Sequence, residues 1–324
     1  MIPNGMEILA VPAFIGGLIL LYKGSDILVD GTVKTAAHLG VSALIISVLF
    51  VGFGTSSPEF AISVGAAIQN NSDISLGNII GSCIANLLLV IGIAAIIKPI
   101  KIQKGIIKRE IPIMIGATAV LLIWSTFGLL DAPYNMFGGI SFLLLFIIFI
   151  GFFVYCAKKE RNNDKKYDTG KTSKNILLIV LGIIGVVIGA ELLIISSVEI
   201  AEFFAIPEFI VAVSMVAIGT SLPELVVSAM AAYKGEADVA VGNVLGSNVF
   251  NILMILGFAA IFIPLKASAS IDYIAIMLAV SLLFIPICCS QHIISRKEGV
   301  LLLVLYGIFI WYMSIGRPMI AAII

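Results

Sequence analysis

The chain has 324 residues, 60% of them hydrophobic and only 12% charged, and its 19 basic and 19 acidic side chains leave a formal net charge of zero. An ordinary soluble domain carries about 25% charged residues, so this composition, with a mean hydropathy of +1.17, excludes a cytosolic enzyme, a nucleic-acid binder and a secreted disulfide scaffold. What remains is an integral membrane protein, with apolar residues for roughly eight to ten spans of about 20 residues each.

In chain order, the apolar runs predict helices at 8–30, 42–69, 73–97, 111–129, 134–157, 175–202, 207–233, 238–262, 271–290 and 298–316. No basic residue or small-residue cleavage site precedes the first run, so it reads as an uncleaved span and not a signal peptide. The longest runs must tilt or break. The one obvious linker is the polar stretch 158–174, which divides the chain into a first unit, 1–157, and a second, 175–324. With the N-terminus placed outside, Lys34, the basic loop 98–109, the linker, Lys234, Arg296 and Lys297 all fall on the inner side. Only Lys266 and Arg317 fall outside. This lopsided distribution predicts a multi-pass cell-membrane protein with both termini outside and the 158–174 loop cytoplasmic. Cys83, Cys156, Cys288 and Cys289 lack metal-type spacing and read mostly as small packing residues in apolar runs.

The two units are copies. Gly54-Thr-Ser-Ser-Pro-Glu59 recurs as Gly219-Thr-Ser-Leu-Pro-Glu224, an offset of 165. Gly77-Asn-Ile-Ile-Gly-Ser-Cys-Ile-Ala-Asn86 recurs as Gly242-Asn-Val-Leu-Gly-Ser-Asn-Val-Phe-Asn251 at the same offset, as do Gly24-Ser-Asp26 in Gly189-Ala-Glu191 and Pro99 in Pro264. A register held without a gap over this length is an internal duplication. Five spans per copy is an odd number, so the second copy should enter the membrane upside down. The expected fold is an all-α integral membrane protein of ten transmembrane helices in two inverted five-helix repeats. Such repeats with interrupted helices build secondary transporters, whose site lies at mid-membrane where the copies meet.

Chemistry concentrates in the repeated motifs. Glu59 and Glu224 fall mid-span, where an ionisable side chain costs at least about 2.5 kcal/mol. No Lys or Arg at matching depth offers to pair with either. Pro58 and Pro223 should break both helices and free backbone carbonyls near Gly54 and Gly219. Thr55, Glu59 and Ser63 are spaced by four and Ser56 precedes Glu59 by three, so one helix face collects them; Thr220, Ser221, Glu224 and Ser228 repeat the pattern. On the following helices Asn78, Ser82 and Asn86 are mirrored by Asn243, Ser247 and Asn251. Gly77, Gly81, Gly242 and Gly246 read as packing positions that let helices approach. Every donor here is a hard oxygen, with two carboxylates to offset positive charge. The residues read as a site for Ca2+, for Na+, or for each in turn.

These paired cassettes resemble the α-repeats of the sodium/calcium exchanger family, within the cation/calcium antiporter superfamily, and the resemblance covers the whole chain. It implies exchange of Na+ for Ca2+ by alternating access through four central ion positions. Glu59 and Glu224 correspond to the shared carboxylates, and Thr55 and Thr220 to carbonyl donors. Ser56, Ser221, Ser82 and Ser247 correspond to flanking Na+ ligands, Asn86 and Asn251 complete the middle position, and Gly52 and Ala217 stand where the family uses a backbone carbonyl. The ions are substrates; no cofactor and no protein partner beyond the lipid bilayer is implied. Some members, K+-dependent exchangers among them, carry Asp at the position of Asn251, so Asn there argues against K+ co-transport. Proton/calcium antiporters of the superfamily share the two-Glu, two-Asn set and supply the alternative driver, but their motif usually reads Gly-Asn-Ala-x-Glu. Na+ is the expected driver.

Asp26 and Glu191 form a second symmetric acid pair, either touching the ion path or bonded to a neighbouring helix, the latter favoured. Asp73 and Asp238 should cap or complement helix starts. His38 and His292 lie near span ends, which leaves no histidine relay. An intramembrane protease would need an activated nucleophile or an aspartate pair, and neither is present in the spans. A passive cation channel would explain an oxygen-rich lining but not two buried glutamates in inverted copies.

Overall fold

The computed structural model describes residues 7–160, 172–203, 219–289 and 292–313. Helical segments cover each predicted run wherever its residues are described. The first half contains α1 (Glu7–Leu39), α2 (Ala43–Ile46), a π-helical turn (Ser47–Val51), α3 (Gly52–Thr55) and α4 (Ser57–Ile68). It continues with α5 (Ser72–Ala85), a second π turn (Asn86–Val90), α6 (Ile91–Ile97), α7 (Lys104–Lys108), α8 (Glu110–Thr126) and α9 (Asn135–Glu160). The second half contains α10 (Thr172–Phe203), α11 (Leu222–Lys234), α12 (Ala237–Val249), a third π turn (Phe250–Ile255), α13 (Leu256–Phe262), α14 (Ile271–Cys289) and α15 (Arg296–Trp311).

Among the described residues six helices are long and apolar enough to cross a membrane, seven if Ala43–Thr55 and Ser57–Ile68, bent by 47° at their break, are one span. α8 and α15 are apolar but shorter, at 17 and 16 residues. The first helix is longer than its apolar run: α1 continues to Leu39, 33 residues in all, so Lys34 lies on its last turns and not in a loop. Local chemistry sets several ends. Asn71 accepts from the Ile74 amide at the start of α5, Ser295 and Glu298 form a reciprocal capping box on α15, and Gly235 (φ 84°) closes α11.

Burial identifies the centre. The apolar windows of Ser72–Ile97 and Ala237–Phe262 are 78% and 83% buried, against a third or less for the other long helices. The two central helices are repeat-related, and α8, α9, α14 and α15 pack around them with a continuous core running through Ile79, Leu88, Phe142, Phe250 and Phe284. α1 and α10 lie against each other over a smaller core of Leu28, Val29, Ile179 and Val186. Their axes approach so closely that a Cβ on Gly24 would lie 2.8 Å from the Val186 nitrogen, the close packing that small residues permit in a membrane.

The connections gather at two ends. At one, Ile100–Lys101 pairs antiparallel with Ile293–Ile294 and the Gln103 amide donates to Asp238 at 2.5 Å. At this end Arg109 also bridges Glu110 and Glu160, and Glu160 accepts from the Ser42 amide. At the other, Leu265 donates to the Leu130 carbonyl at 2.9 Å, and Asp131 accepts from the Ala267 and Ser268 amides. Loops that the charge pattern assigns to one side therefore meet each other.

Candidate functional site

The first cassette sits at the 47° bend between two helices, and the second opens a helix in the same way. Ser56 (φ −80°, ψ 8°) and Ser221 (φ −84°, ψ 7°) take the same non-helical conformation. Pro58 and Pro223 follow in the first turn of α4 and α11. The break expected at Pro58 is present, and the proline lies in the first turn after it, where the missing N–H has no intrahelical partner to lose. The expected free carbonyl at Gly54 is also re-satisfied, by the Ser57 hydroxyl at 2.8 Å. Placing Pro58 in the first turn brings the following acid into that turn, and Glu59 and Glu224 are both fully buried.

Each acid is flanked by hydroxyls from both copies. Thr55, Ser56 and Ser247 surround Glu224: Ser56 donates to its Oε1 at 3.1 Å and Ser247 at 3.2 Å, with the Thr55 and Ser247 hydroxyls 3.4 Å apart. The repeat-related pair, Ser82 and Thr220, stands 3.1 Å apart beside Glu59. Asn78 donates to Ser63 at 2.9 Å and Asn243 to Ser228 at 3.0 Å, so equivalent amides brace equivalent helices. Gly52 is required for the crossing: its carbonyl accepts from Ser247 at 3.2 Å, and a Cβ there would meet the Ser247 nitrogen at 2.9 Å. Ala217 lies outside the described residues.

The two halves of the site converge on buried oxygen atoms that have no hydrogen-bond partner: both carboxylate oxygens of Glu59, Oε2 of Glu224, and Oδ1 of Asn86 and of Asn251. No ion pair reaches either glutamate among the described residues. Buried carboxylates without a partner cost several kcal/mol, and oxygen-only donors suit a hard cation.

Other expectations fare unevenly. Gly242 and Gly246 do pack tightly, with a Cβ reaching within 2.9 Å of Ser47 and 2.7 Å of Val48. Gly77 and Gly81 have nothing within 4 Å among the described residues; the positions equivalent to Ser47 and Val48 in the second copy, Ala212 and Val213, lie outside them. Asp26 is bonded to a neighbouring helix, as favoured, by Lys234 of α11 at 2.6 Å. Glu191 is exposed on α10. Asp73 and Asp238 stand in the first turns of α5 and α12. Sequence reasoning passed over Asn248 and Cys83, which lie against the site, and the π turns beginning at or beside Ser47, Asn86 and Phe250.

A family model described as sodium/calcium exchanger protein matches residues 9–155 and 174–315. The chain belongs to the sodium/calcium exchanger family. It is 33% identical to sodium/calcium exchanger MaX1 of Methanosarcina acetivorans, over 91% of this chain and 95% of that one. It is 36% identical to the uncharacterized membrane protein MJ0091 of Methanocaldococcus jannaschii, over 96% and 100%. The solved structure of a sodium/calcium exchanger from Methanococcus jannaschii superposes with a TM-score of 0.83 at 34% identity, covering 94% of this chain and 98% of that one. As a member of this family the protein is a multi-pass membrane antiporter of the cation/calcium type; its relatives are transporters, not enzymes.

Proposed function

We propose that the protein exchanges Na+ for Ca2+ by alternating access, at a site built from Glu59, Glu224, Asn86 and Asn251 with Thr55, Thr220, Ser56, Ser221, Ser82 and Ser247 and the backbone at Gly52 and Ala217. The observation that carries this reading is that two fully buried glutamates, near enough to influence each other, and two buried amides each keep at least one oxygen without a partner. Two carboxylates neutralise one Ca2+ or two Na+, and the flanking hydroxyls supply further neutral oxygens. The names of MaX1 and of the Methanococcus exchanger support the choice of ions.

The architecture belongs to the same reading. Residues 1–157 and 175–324 form two five-helix repeats of opposite orientation joined by the 158–174 linker, giving ten spans. The 165-residue register and the matching helix starts at Ser56 and Ser221 support it. The end where Lys101, Arg109 and Arg296 gather faces the cytoplasm, by the positive-inside rule, and both termini lie outside.

Uptake of radiolabelled Ca2+ into proteoliposomes, with Na+, K+ or H+ gradients imposed in turn, tests the function. Na+-driven uptake is the expected result. Uptake driven by a pH gradient without Na+ would replace Na+ by H+, and flux without any counter-ion would make the protein a channel.

A further inference from the structure

The two Asn ligands of the proposed site occupy equivalent repeat positions but have unequal surroundings. Asn86 donates through Nδ2 to Oδ1 of Asn248 at 3.0 Å, while Asn248 donates through its own Nδ2 to the Cys83 carbonyl at 3.1 Å. All three residues are essentially buried. The direction of this amide chain is fixed by its last member. A backbone carbonyl can only accept, so Asn248 must turn its NH2 toward Cys83; the Met114 sulfur, 3.7 Å from the same nitrogen, is also an acceptor. Reversing Asn248 would set oxygen against oxygen. With Oδ1 of Asn248 facing Asn86, Asn86 must offer its NH2 in turn, and this leaves its oxygen as the unpartnered atom.

The other copy has a weaker counterpart. The offset of 165 puts Cys83 in the place of Asn248 and Asn86 in the place of Asn251. There a thiol does the same job more weakly: Cys83 donates to the Asn248 carbonyl at 3.9 Å and stands beside Asn251, neither of whose polar atoms makes a full hydrogen bond.

We propose that Asn248 is a positioning residue for ion binding: held by the Cys83 carbonyl, it turns the Asn86 amide so that oxygen, and not NH2, is presented to the cation. Asn86 is held firmly by an amide, whereas Asn251 has only a thiol, a weak acceptor, to orient it. The inference rests on the reading of Asn86 as an ion ligand.

Equilibrium binding of radiolabelled Ca2+ to purified protein tests it, with the melting temperature in chelator as a check on folding. Asn248→Cys places at this position the residue that the other copy uses. It should weaken Ca2+ binding about tenfold, the low end of what is lost when the group orienting a metal ligand is removed. In an Asn86→Asp background the sign should reverse. A carboxylate presents oxygen whichever way it turns, and it is repelled by Oδ1 of Asn248, so Asn248→Cys should there leave binding unchanged or improve it. Asn248→Ser gives the same comparison if the cysteine variant does not fold. Equal weakening in both backgrounds, or no weakening in the parent, would overturn the inference while leaving the proposed exchange intact. Unaltered Ca2+ binding by Asn86→Ala would remove the ion-site reading of Asn86, and this inference with it.

Discussion

The Ser56 hydroxyl donates to the Glu224 carboxylate at 3.1 Å, so one copy of the cassette bonds to the acid of the other. No matching bond runs from Ser221 to Glu59, both of whose oxygens are without partners. The repeat makes the two acids equivalent in sequence, but Ser56 and Ser247 bond to one, while Thr220 and Ser82 stand beside the other without a full hydrogen bond.

Replacing either acid by its amide should therefore abolish exchange with unequal effects on stability. Glu59→Gln removes one of two buried like charges, the one with weaker hydroxyl contacts, so in chelator this variant should melt above the parent. Glu224→Gln gives up bonds from Ser56 and Ser247 and should gain less. Both should lose the rise in melting temperature that Ca2+ gives the parent. Near-normal exchange in either variant would remove that acid from the site.

Gly52→Ala should abolish transport and cost about 1–3 kcal/mol of stability, the range for overpacking. The atoms it meets are the Ser247 amide and the Asn243 carbonyl, both backbone on a buried helix. Gly151→Ala, exposed on α9 with nothing within 4 Å, should transport normally. Comparable losses in both variants would show that the close crossing at Gly52 is not the cause.

Asn251→Asp would put a third carboxylate beside Glu59 and Glu224. Like charges at one buried site oppose each other's ionisation, so transport should respond to pH more steeply than in the parent between about pH 5 and 9. A mutant that still transports with an unchanged profile would place Asn251 outside the site.

Voltage separates the stoichiometries. Three Na+ for one Ca2+ moves one net charge per turnover, and 100 mV then biases the cycle by about 2.3 kcal/mol. Ca2+ uptake at a fixed Na+ gradient and equal pH should accelerate when valinomycin clamps the vesicle lumen positive, because that potential assists the exit of the extra charge. Voltage-insensitive uptake would reject three-for-one exchange.

The cassettes were legible because their chemistry is local: proline, acid and hydroxyls within six residues, written twice. The long-range partners were not. Asn86 meets Asn248 and Asp26 meets Lys234 from opposite halves of the chain, and spacing within a helix says nothing of either contact. The π turns at Ser47–Val51, Asn86–Val90 and Phe250–Ile255 carry no residue signature, since they differ from α-helix only in which carbonyl each amide reaches. The length of α1 was hidden because polar residues such as Asp30 and Lys34 end the apolar run but remain compatible with helix, and here pair four residues apart.

In the proposed exchange, two buried glutamates with no lysine or arginine paired to them among the described residues would also act as a brake. A carrier that releases its cargo must either hold two bare charges in a medium of low polarity or take up another ion before it turns. If the penalty for reorienting empty is about 4 kcal/mol, within the several kcal/mol expected per buried ion, the empty return slows roughly a thousandfold, at 1.36 kcal/mol per decade. With no lysine or arginine beside Glu59 and Glu224 among the described residues, release of one ion would then wait on capture of the next.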